Sequence, residues 1–404
     1  MTIGTASERS AVVAGGGIGG LATAIGLRRN GWAVTVLEQA AQLREVGAGW
    51  SFAPNALRAV DWLGLDKEFR AISLPSQAGS TLRTPDGTYL MRFQPHRDIT
   101  LLANHRAELH HLLAAQLPKS CICTGAQVFE VSQSDHQVAI TYRTSNGPGE
   151  ISAAVLVGAD GIGSAVRQSV FPEAPAPVFQ RILCWRGVTE PGSVWPIDGF
   201  QTWGRGARFG AHPLTGERVF WFLAVRQPEP GQRYDNDLAE VMRRTSGWHA
   251  PIAAIVHGTA PESVLCHDIY DLDALPSYVD RRVCLLGDAA HAMTPFLAQG
   301  ACQAFEDSTV LCMLLAEHAD VPTALAVYDS LRKTRSQRVG KAARSDPKIS
   351  LSTSALTYRL MTGLTRLASS RIGRRKTAWL WSWTPSTTQA QLANTTPNSV
   401  PKSQ

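Results

Sequence analysis

The sequence predicts an α/β fold in which a mostly parallel sheet is interleaved with an antiparallel sheet and followed by a C-terminal helical segment. Two short apolar runs flank a glycine-rich helical stretch near the N-terminus, which predicts a βαβ unit. In the middle of the chain, alternating apolar and polar residues broken by Gly and Pro predict a separate antiparallel sheet. The 404 residues, 44% hydrophobic and 18% charged, suffice for two or three domains of an ordinary globular protein.

The N-terminal elements can be assigned in order. Residues 10–14 form an apolar strand, residues 21–30 a helix that closes at Gly31, and residues 33–37 a second buried strand. The apolar run 11–27 is rich in glycine and lacks a basic leader and a cleavage pattern, so it does not resemble a signal sequence.

The later elements follow the same periodicities. Helices are predicted at 53–63, 106–117 and 300–316, buried strands at 155–158 and 283–286, and hairpins within 81–93 and 128–151. The alternating segments of the middle block are 183–188, 200–203 and 218–225. An amphipathic stretch (354–367), a basic cluster (371–376) and a polar tail expected to be disordered (385–404) complete the chain.

Composition excludes several classes of protein. The formal charge of +6 is mild, and no nucleic-acid-binding module is recognisable, so we expect no nucleic-acid partner. The seven cysteines form neither a Cys-x-x-Cys pair nor a cluster with zinc spacing. We therefore expect no disulfide, no structural metal and a reducing, cytoplasmic location.

The first candidate site is the pattern Gly15-x-Gly17-x-x-Gly20 between the first strand and helix. The three glycines permit, in order, a tight turn, close approach of a pyrophosphate, and close packing of helix on strand. Glu38 ends the second strand 18 residues after Gly20, where a carboxylate can accept hydrogen bonds from an adenosine ribose. This context favours a dinucleotide site over a structural turn, but it does not distinguish NAD from FAD.

A second candidate site lies in the C-terminal half. Asp288 follows the strand 283–286, and Pro295, Gly300 and Ala301 precede or open a helix. An aspartate at the end of a strand can bind a ribitol hydroxyl, and a helix N-terminus can donate N–H groups to the pyrimidine edge of a flavin. The combination favours FAD.

These motifs, together with Gly158-Ala159-Asp160-Gly161, resemble those of the class A (single-component) FAD-dependent monooxygenases. That family includes the salicylate, para-hydroxybenzoate and urate hydroxylases and the zeaxanthin epoxidases, and the similar motifs extend from residue 12 to about 345. The flavin loop departs from the family's usual Pro-Asn-Leu-Gly-Gln-Gly at Phe296 and Ala298.

The resemblance implies a Rossmann-like FAD-binding domain similar to that of para-hydroxybenzoate hydroxylase, with a β-sheet substrate domain inserted. Its boundaries would be 1–75, 100–178 and 276–345 for the FAD-binding domain, 76–99 and 179–275 for the substrate domain, and 346–384 for the C-terminal helical region. The cofactor-binding residues it implies are Gly15, Gly17, Gly20, Glu38, Gly49, Arg106, Val128, Asp160 (with Arg167), Asp288, Pro295, Gly300 and Ala301.

The implied reaction is hydroxylation or epoxidation of an electron-rich aromatic or polyketide-like small molecule with NAD(P)H and O2, through a flavin C4a-hydroperoxide. We expect Arg186 or Arg208 to steady a phenolate and His212 to handle its proton, the alternatives being salt bridges and a hydrogen-bonded strand-end histidine. Five tryptophans of the middle block are candidates for the pocket wall: 185, 195, 203, 221 and 248.

Other readings remain open at this point. The protein could be an FAD-dependent reductase or oxidase without oxygen insertion, or a non-catalytic FAD-binding protein. Residues 354–367 could be a membrane-surface helix, but we expect them to pack across the FAD-binding domain, with membrane association unlikely. We expect a monomer or homodimer.

Overall fold

The computed structural model describes residues 9–43, 49–76, 81–92, 101–367 and 378–388. Its strands, in chain order, are β1 (Ser10–Ala14), β2 (Ala33–Glu38), β3 (Gly49–Phe52), β4 (Ser73–Pro75), β5 (Thr81–Arg83), β6 (Tyr89–Arg92), β7 (Leu102–His105), β8 (Ile122–Thr124), β9 (Gln127–Gln133), β10 (Val138–Thr144), β11 (Gly147–Ala153), β12 (Val155–Gly158), β13 (Val178–Val188), β14 (Phe200–Gly204), β15 (Ala207–Leu214), β16 (Arg218–Arg226), β17 (Leu265–Asp271), β18 (Val279–Asp280) and β19 (Val283–Leu285). Its helices are α1 (Ile18–Arg29), α2 (Pro54–Trp62), α3 (Asp66–Ala71), α4 (Arg106–Ala115), α5 (Ala165–Val170), α6 (Asp237–Arg244), α7 (Ile252–His257), α8 (Asp288–His291), α9 (Gly300–Glu317), α10 (Val321–Ser350) and α11 (Ala355–Leu367).

A six-stranded sheet in the order β18-β19-β12-β1-β2-β8 holds the predicted βαβ unit. β1 pairs in parallel with β2 on one side and with β12 on the other, and only β18 runs antiparallel. Helix α1 begins at Ile18, three residues earlier than predicted, because the extended Gly17 is its N-cap. The carboxyl ends of β1, β12 and β19 therefore meet at one edge, where ligands bind in sheets of this kind.

The seven-stranded sheet β17-β13-β16-β15-β14-β5-β6 is the antiparallel block, apart from the parallel pair β14 and β5. Helices α6 and α7 cover its outer face, where the indoles of Trp185 and Trp221 are fully buried with Ile252 and Ile255. Trp185 and Trp221 therefore belong to the packed core on the outer face and do not line a pocket on the inner face. Trp203 neighbours Arg208 on the opposite, inner face and remains a candidate.

The smaller sheet β3-β7-β4 joins the two large ones. Gly49 at the start of β3 packs so closely on the inner face that a Cβ there would lie 2.5 Å from the Cβ of Phe220. Ala103 of β7 is buried against the same ring and Leu214. This packing fixes the inner face close to the carboxyl edge of the six-stranded sheet.

Helix α11 does not pack across the six-stranded sheet as expected. It lies beside β6 and the end of β14, where the Tyr358 hydroxyl donates to the Trp203 carbonyl at 2.9 Å. None of its side chains is buried. Within the described ranges, no helix is long and apolar enough to cross a membrane.

Candidate active site

The glycine loop has the shape of a phosphate cradle. Gly15 has φ +107°, and a Cβ on Gly20 would lie 2.0 Å from the Gly15 carbonyl oxygen, so both positions exclude a side chain. A Cβ on Gly17, in contrast, would meet no atom of the described residues within 4 Å. The first turn of α1 carries no acidic residue, and no side chain caps its N–H groups. These free N–H groups and the helix dipole favour an anion at the start of the helix.

Glu38 is fixed beside this loop by two backbone donors. Its Oε2 accepts the Gly16 N–H at 2.6 Å and its Oε1 the Ala40 N–H at 2.7 Å. Each carboxylate oxygen retains a lone pair, so the carboxylate can still accept ribose hydroxyls. Val128 is buried two residues after Ala126, whose N–H donates to the Glu38 carbonyl at 2.8 Å. The structure thus places Glu38 and the backbone near Val128 at one end of the loop.

Asp288 and Gly300 face each other across the second half of the cleft. The Asp288 side chain is accessible to solvent, but the surrounding protein partly desolvates its carboxyl. Desolvation raises the pKa of this carboxyl, and the charges of His291 and Arg106 lower it by a smaller amount. A Cβ on Gly300 would lie 4.0 Å from Asp288 Oδ1, so the carboxyl adjoins the N-terminus of α9. A ribitol chain and a flavin edge fit this arrangement of acceptor and helix donors.

Arg106, at the start of α4, stacks its guanidinium 4.8 Å from the centre of the Trp50 ring. Its charge acts on Asp288, which places it on the same cleft. A cation there suits the diphosphate or ribityl part of FAD, as the family resemblance implies.

The loop before α9 has an unusual backbone. Pro295–Leu297 form one short 3-10 turn, and Ala298 then adopts the left-handed conformation with φ 51° and ψ 38°. A residue with a Cβ pays about 1–2 kcal/mol there, which glycine avoids. Ala298 stands where the family usually has glycine, so the chain carries strain beside its flavin site.

Replacing Ala298 by glycine is expected to raise the free energy of unfolding by about 1 kcal/mol, since the strain outweighs the extra flexibility of glycine in the unfolded chain. Chemical denaturation of the apoprotein measures this change in the free energy of unfolding. Ala316→Gly, at an exposed position near the end of α9, is the control and should lower stability by about 0.5–1 kcal/mol. Equal losses in both variants would contradict strain at Ala298.

Asp160 acts as a local cap. It accepts the Ser164 hydroxyl at 2.5 Å and the Val166 N–H at 3.1 Å, and burial raises the pKa of its carboxyl. Arg167 donates to the carbonyls of Ile162 at 2.6 Å and Ala289 at 2.8 Å. Arg167 therefore ties the loop after β12 to the helix that begins at Asp288.

A buried ionic network behind the flavin loop was not predicted. Asp307 on α9 accepts the Gly287 N–H at 3.0 Å, His291 Nε2 at 2.6 Å and Arg332 Nε at 2.6 Å. Burial alone would raise the pKa of Asp307, but His291 and Arg332 hold it well below its usual range. The signal in the sequence is the adjacent acidic pair Glu306-Asp307 inside a mostly apolar helix.

Glu306, the second acid of this network, is fully buried and accepts Arg332 Nη1 at 2.6 Å and Arg335 Nε at 2.6 Å. Arg335 Nη2 also donates a hydrogen bond to the Leu380 carbonyl at 2.8 Å. The network thus connects α9, α10 and the described C-terminal residues.

The three candidate catalytic residues share the inner face but differ in their contacts. Arg208 is buried and binds Asp346 at 2.7 Å and Gln201 Oε1 at 2.7 and 3.1 Å, which is the salt-bridge alternative. Arg186 is half-buried, and its Nε has no hydrogen-bond partner within the described part of the chain. His212 is buried, stacked on Phe220 with ring centres 5.8 Å apart.

The environment of His212 favours its neutral form. Burial, and then the charge of Arg208, lower the pKa of His212 to about 4. The folded protein therefore binds one proton fewer than the unfolded chain between pH 4 and 6.5, so stability rises with pH across this window.

Replacing His212 by Gln should remove this dependence, which amounts to about 3 kcal/mol between the two pH limits. Urea denaturation at both pH values measures it, and the exposed His136→Gln is the control. A wild-type slope retained in His212→Gln would show that other groups cause it.

The open space at Gly17, the carboxylate of Glu38 and the Asp288–Gly300 cleft fit the diphosphate, ribose and flavin ends of one extended molecule, and thereby define a flavoprotein. The model of the family "FAD binding domain" matches residues 8–343. The chain belongs to this family of FAD-dependent monooxygenases, and the resemblance seen in the sequence is confirmed.

Individual relatives agree. The chain is 36% identical to the aurachin C monooxygenase/isomerase of Stigmatella aurantiaca, over 80% of this chain and 85% of that protein. It is 34% identical to 3-hydroxybenzoate 6-hydroxylase 1 of Aquipseudomonas alcaligenes, over 82% and 87%. The crystal structure of Klebsiella pneumoniae HpxO with FAD and uric acid superposes with a TM-score of 0.81 at 25% identity, over 90% and 94% of the two chains. FAD is the cofactor, and NAD(P)H is the reductant typical of this class.

Proposed function

We propose that this monooxygenase hydroxylates a small, electron-rich aromatic molecule held between the flavin cleft and the inner face of the seven-stranded sheet. The observation that carries the proposal is the direct packing of the flavin loop on that face. Phe296 is buried against Cys184 and Ala224, and the Arg208 guanidinium lies 5.2 Å from its ring centre. A substrate bound on the inner face is thus brought to the side of the cleft formed by Gly300.

Aromatic side chains suit this face to a flat substrate. Phe220 and Phe222 lie with ring centres 6.3 Å apart, and His212 stacks on both. Flat rings stack well on such a surface, which also excludes water. Two of the relatives are named for hydroxybenzoate and for 6-hydroxynicotinate, both small aromatic acids.

Arg186 supplies the charge in this proposal. Its position on β13 is opposite Phe222, and its Nε lacks a partner among the described residues. Burial, then the charge of Arg186, lower the pKa of His267 on the adjacent strand, so the positive potential extends along the inner face. A phenolate or carboxylate would satisfy both the charge and the donor.

His212 supplies the acceptor. Its Nδ1 is 3.5 Å from the Ser76 hydroxyl, and as a neutral imidazole it can accept a hydrogen bond from a substrate hydroxyl through the other ring nitrogen. Arg208, held by Asp346 and Gln201, positions β15 and α10 instead of contacting substrate. When bound, FAD would accept two electrons from NAD(P)H and pass them to O2.

The test is a panel of aromatic acids and phenols, with NADH and NADPH oxidation as the first readout and incorporation of oxygen-18 from labelled O2 as the second. We expect at least one aromatic compound to stimulate oxidation and to acquire one labelled oxygen. Stimulated oxidation without label in any product would favour the reductase or oxidase alternative and contradict the proposal.

With such a substrate, Arg186→Ala and His212→Ala are expected to lower kcat/KM about 10- to 100-fold, because each removes a hydrogen bond to a charged or ionising group. Product formed per NAD(P)H should fall as well. Arg243→Ala, an exposed arginine on α6, is the control. Unchanged kcat/KM and coupling in both inner-face variants would remove these residues from the site.

A further inference from the structure

We propose that helix α11 docks the enzyme on an anionic membrane surface. The helix exposes four leucines, Leu356, Leu360, Leu364 and Leu367, with 79%, 59%, 52% and 84% of their surface accessible. Monomeric proteins rarely expose several large apolar side chains side by side without a partner for them.

The leucines form one stripe. At about 100° per residue, their spacing of four, four and three places all four within roughly an 80° arc of the helix. The Tyr358 side chain, which bonds the Trp203 carbonyl at 2.9 Å, lies on the opposite side. The helix is therefore attached to the protein by one side and presents the leucine stripe outward.

Basic side chains border this stripe. Arg359 and Arg366 are both exposed and lie on one flank of the leucines, from which long side chains can reach a lipid headgroup while the leucines enter the acyl boundary. None of the 33 Asp and Glu residues follows Asp346, so no acidic residue close in sequence neutralises these arginines.

The distribution of charge favours an anionic membrane over a second copy of the chain as the partner of the leucine stripe. Eight of the 39 Lys and Arg residues follow Asp346, so the last 58 residues carry a formal charge of +8 and the first 346 a charge of −2. Two copies meeting through α11 would bring two such basic segments together, which is unfavourable, whereas an anionic bilayer attracts them. At about 1.5 Å per residue, 13 residues span roughly 20 Å, so α11 would lie in the interface and not cross a bilayer.

The experiment is sedimentation of the FAD-loaded full chain with vesicles of phosphatidylcholine, with or without about 30% phosphatidylglycerol. We expect binding to the anionic vesicles, little binding to the neutral ones, and loss of binding at high salt. The triple variant Leu356→Gln/Leu360→Gln/Leu364→Gln, which keeps good helix formers, should weaken binding at least tenfold. Arg359→Gln/Arg366→Gln should weaken it several-fold.

Lys67→Gln/Arg70→Gln is the matched control, because it removes two exposed positive charges from α3, away from the stripe, and should bind like the wild type. Flavin absorbance and circular dichroism verify that each variant is folded. Absence of vesicle binding by the wild type, or equal binding by the leucine variant, would overturn the proposal. A wild-type dimer that the leucine variant dissociates, without vesicle binding, would assign the stripe to a second copy and overturn it equally.

Discussion

Gly17→Ala is expected to leave the apoprotein folded and to weaken FAD binding on the order of 100-fold, or about 3 kcal/mol. Gly20→Ala, three residues away, is expected to destabilise the apoprotein by about 3–5 kcal/mol. The difference arises because a methyl group at Gly17 meets no atom of the described residues within 4 Å and would project into the space proposed for the diphosphate, whereas one at Gly20 would lie 2.0 Å from the Gly15 carbonyl oxygen.

Two measurements separate these effects: denaturation of the apoprotein, and titration of the apoprotein with FAD. Gly340→Ala in α10 provides the control, because a Cβ there also meets nothing within 4 Å and lies in a helix, so it should raise stability by up to about 1 kcal/mol with unchanged FAD affinity. Unaltered FAD affinity in Gly17→Ala would show that the diphosphate does not approach this glycine.

Asp307→Asn is expected to cost about 3–5 kcal/mol of unfolding free energy, because it leaves the fully buried Arg332 with less compensating charge. The pKa of Asp307 is depressed in the folded state, so its contribution to stability is present above the unfolded pKa and is lost as the pH falls through the folded one. The wild type should therefore lose stability in acid more steeply than Asp307→Asn.

Guanidinium denaturation at neutral pH measures the loss of unfolding free energy. Repeating it at acidic pH measures how steeply the unfolding free energy of each variant depends on pH. Asp320→Asn is the matched substitution, since Asp320 caps α10 at an exposed position where asparagine caps equally well, and it should change stability by less than about 0.5 kcal/mol. Similar small losses in both variants would mean that the Asp307 ion pair only balances its desolvation.

The FAD half of the site could be predicted because its signals are local. Three glycines and one carboxylate occupy a strand–turn–helix–strand segment, and each has a steric or hydrogen-bonding reason that holds in any such unit. The predicted start of α1 at residue 21 is three residues late. Gly19 and Gly20 are poor helix formers, yet both are helical here because the close packing at the turn leaves no room for a side chain.

The substrate half could be predicted only in part. Strand alternation places Trp185 and Arg186 on opposite faces, so both could not line one pocket, but the sequence does not say which face meets the flavin loop. The partner of Arg208 is equally hidden, because Asp346 lies 138 residues away and reaches it only through the packing of α10 on the sheet.

The order of strands in the six-stranded sheet has a consequence for how the enzyme acquires its cofactor. β1 and β19 are separated by β12, and Arg167 joins the loop after β12 to the helix that follows β19. The two ends of the FAD site, at the glycine loop and at Asp288, therefore come from segments about 270 residues apart in the chain. An N-terminal fragment as it emerges from the ribosome thus has the glycine loop but no flavin-ring site. We therefore expect complete capture of the cofactor only after α9 has been synthesised, with bound FAD stabilising the folded sheet.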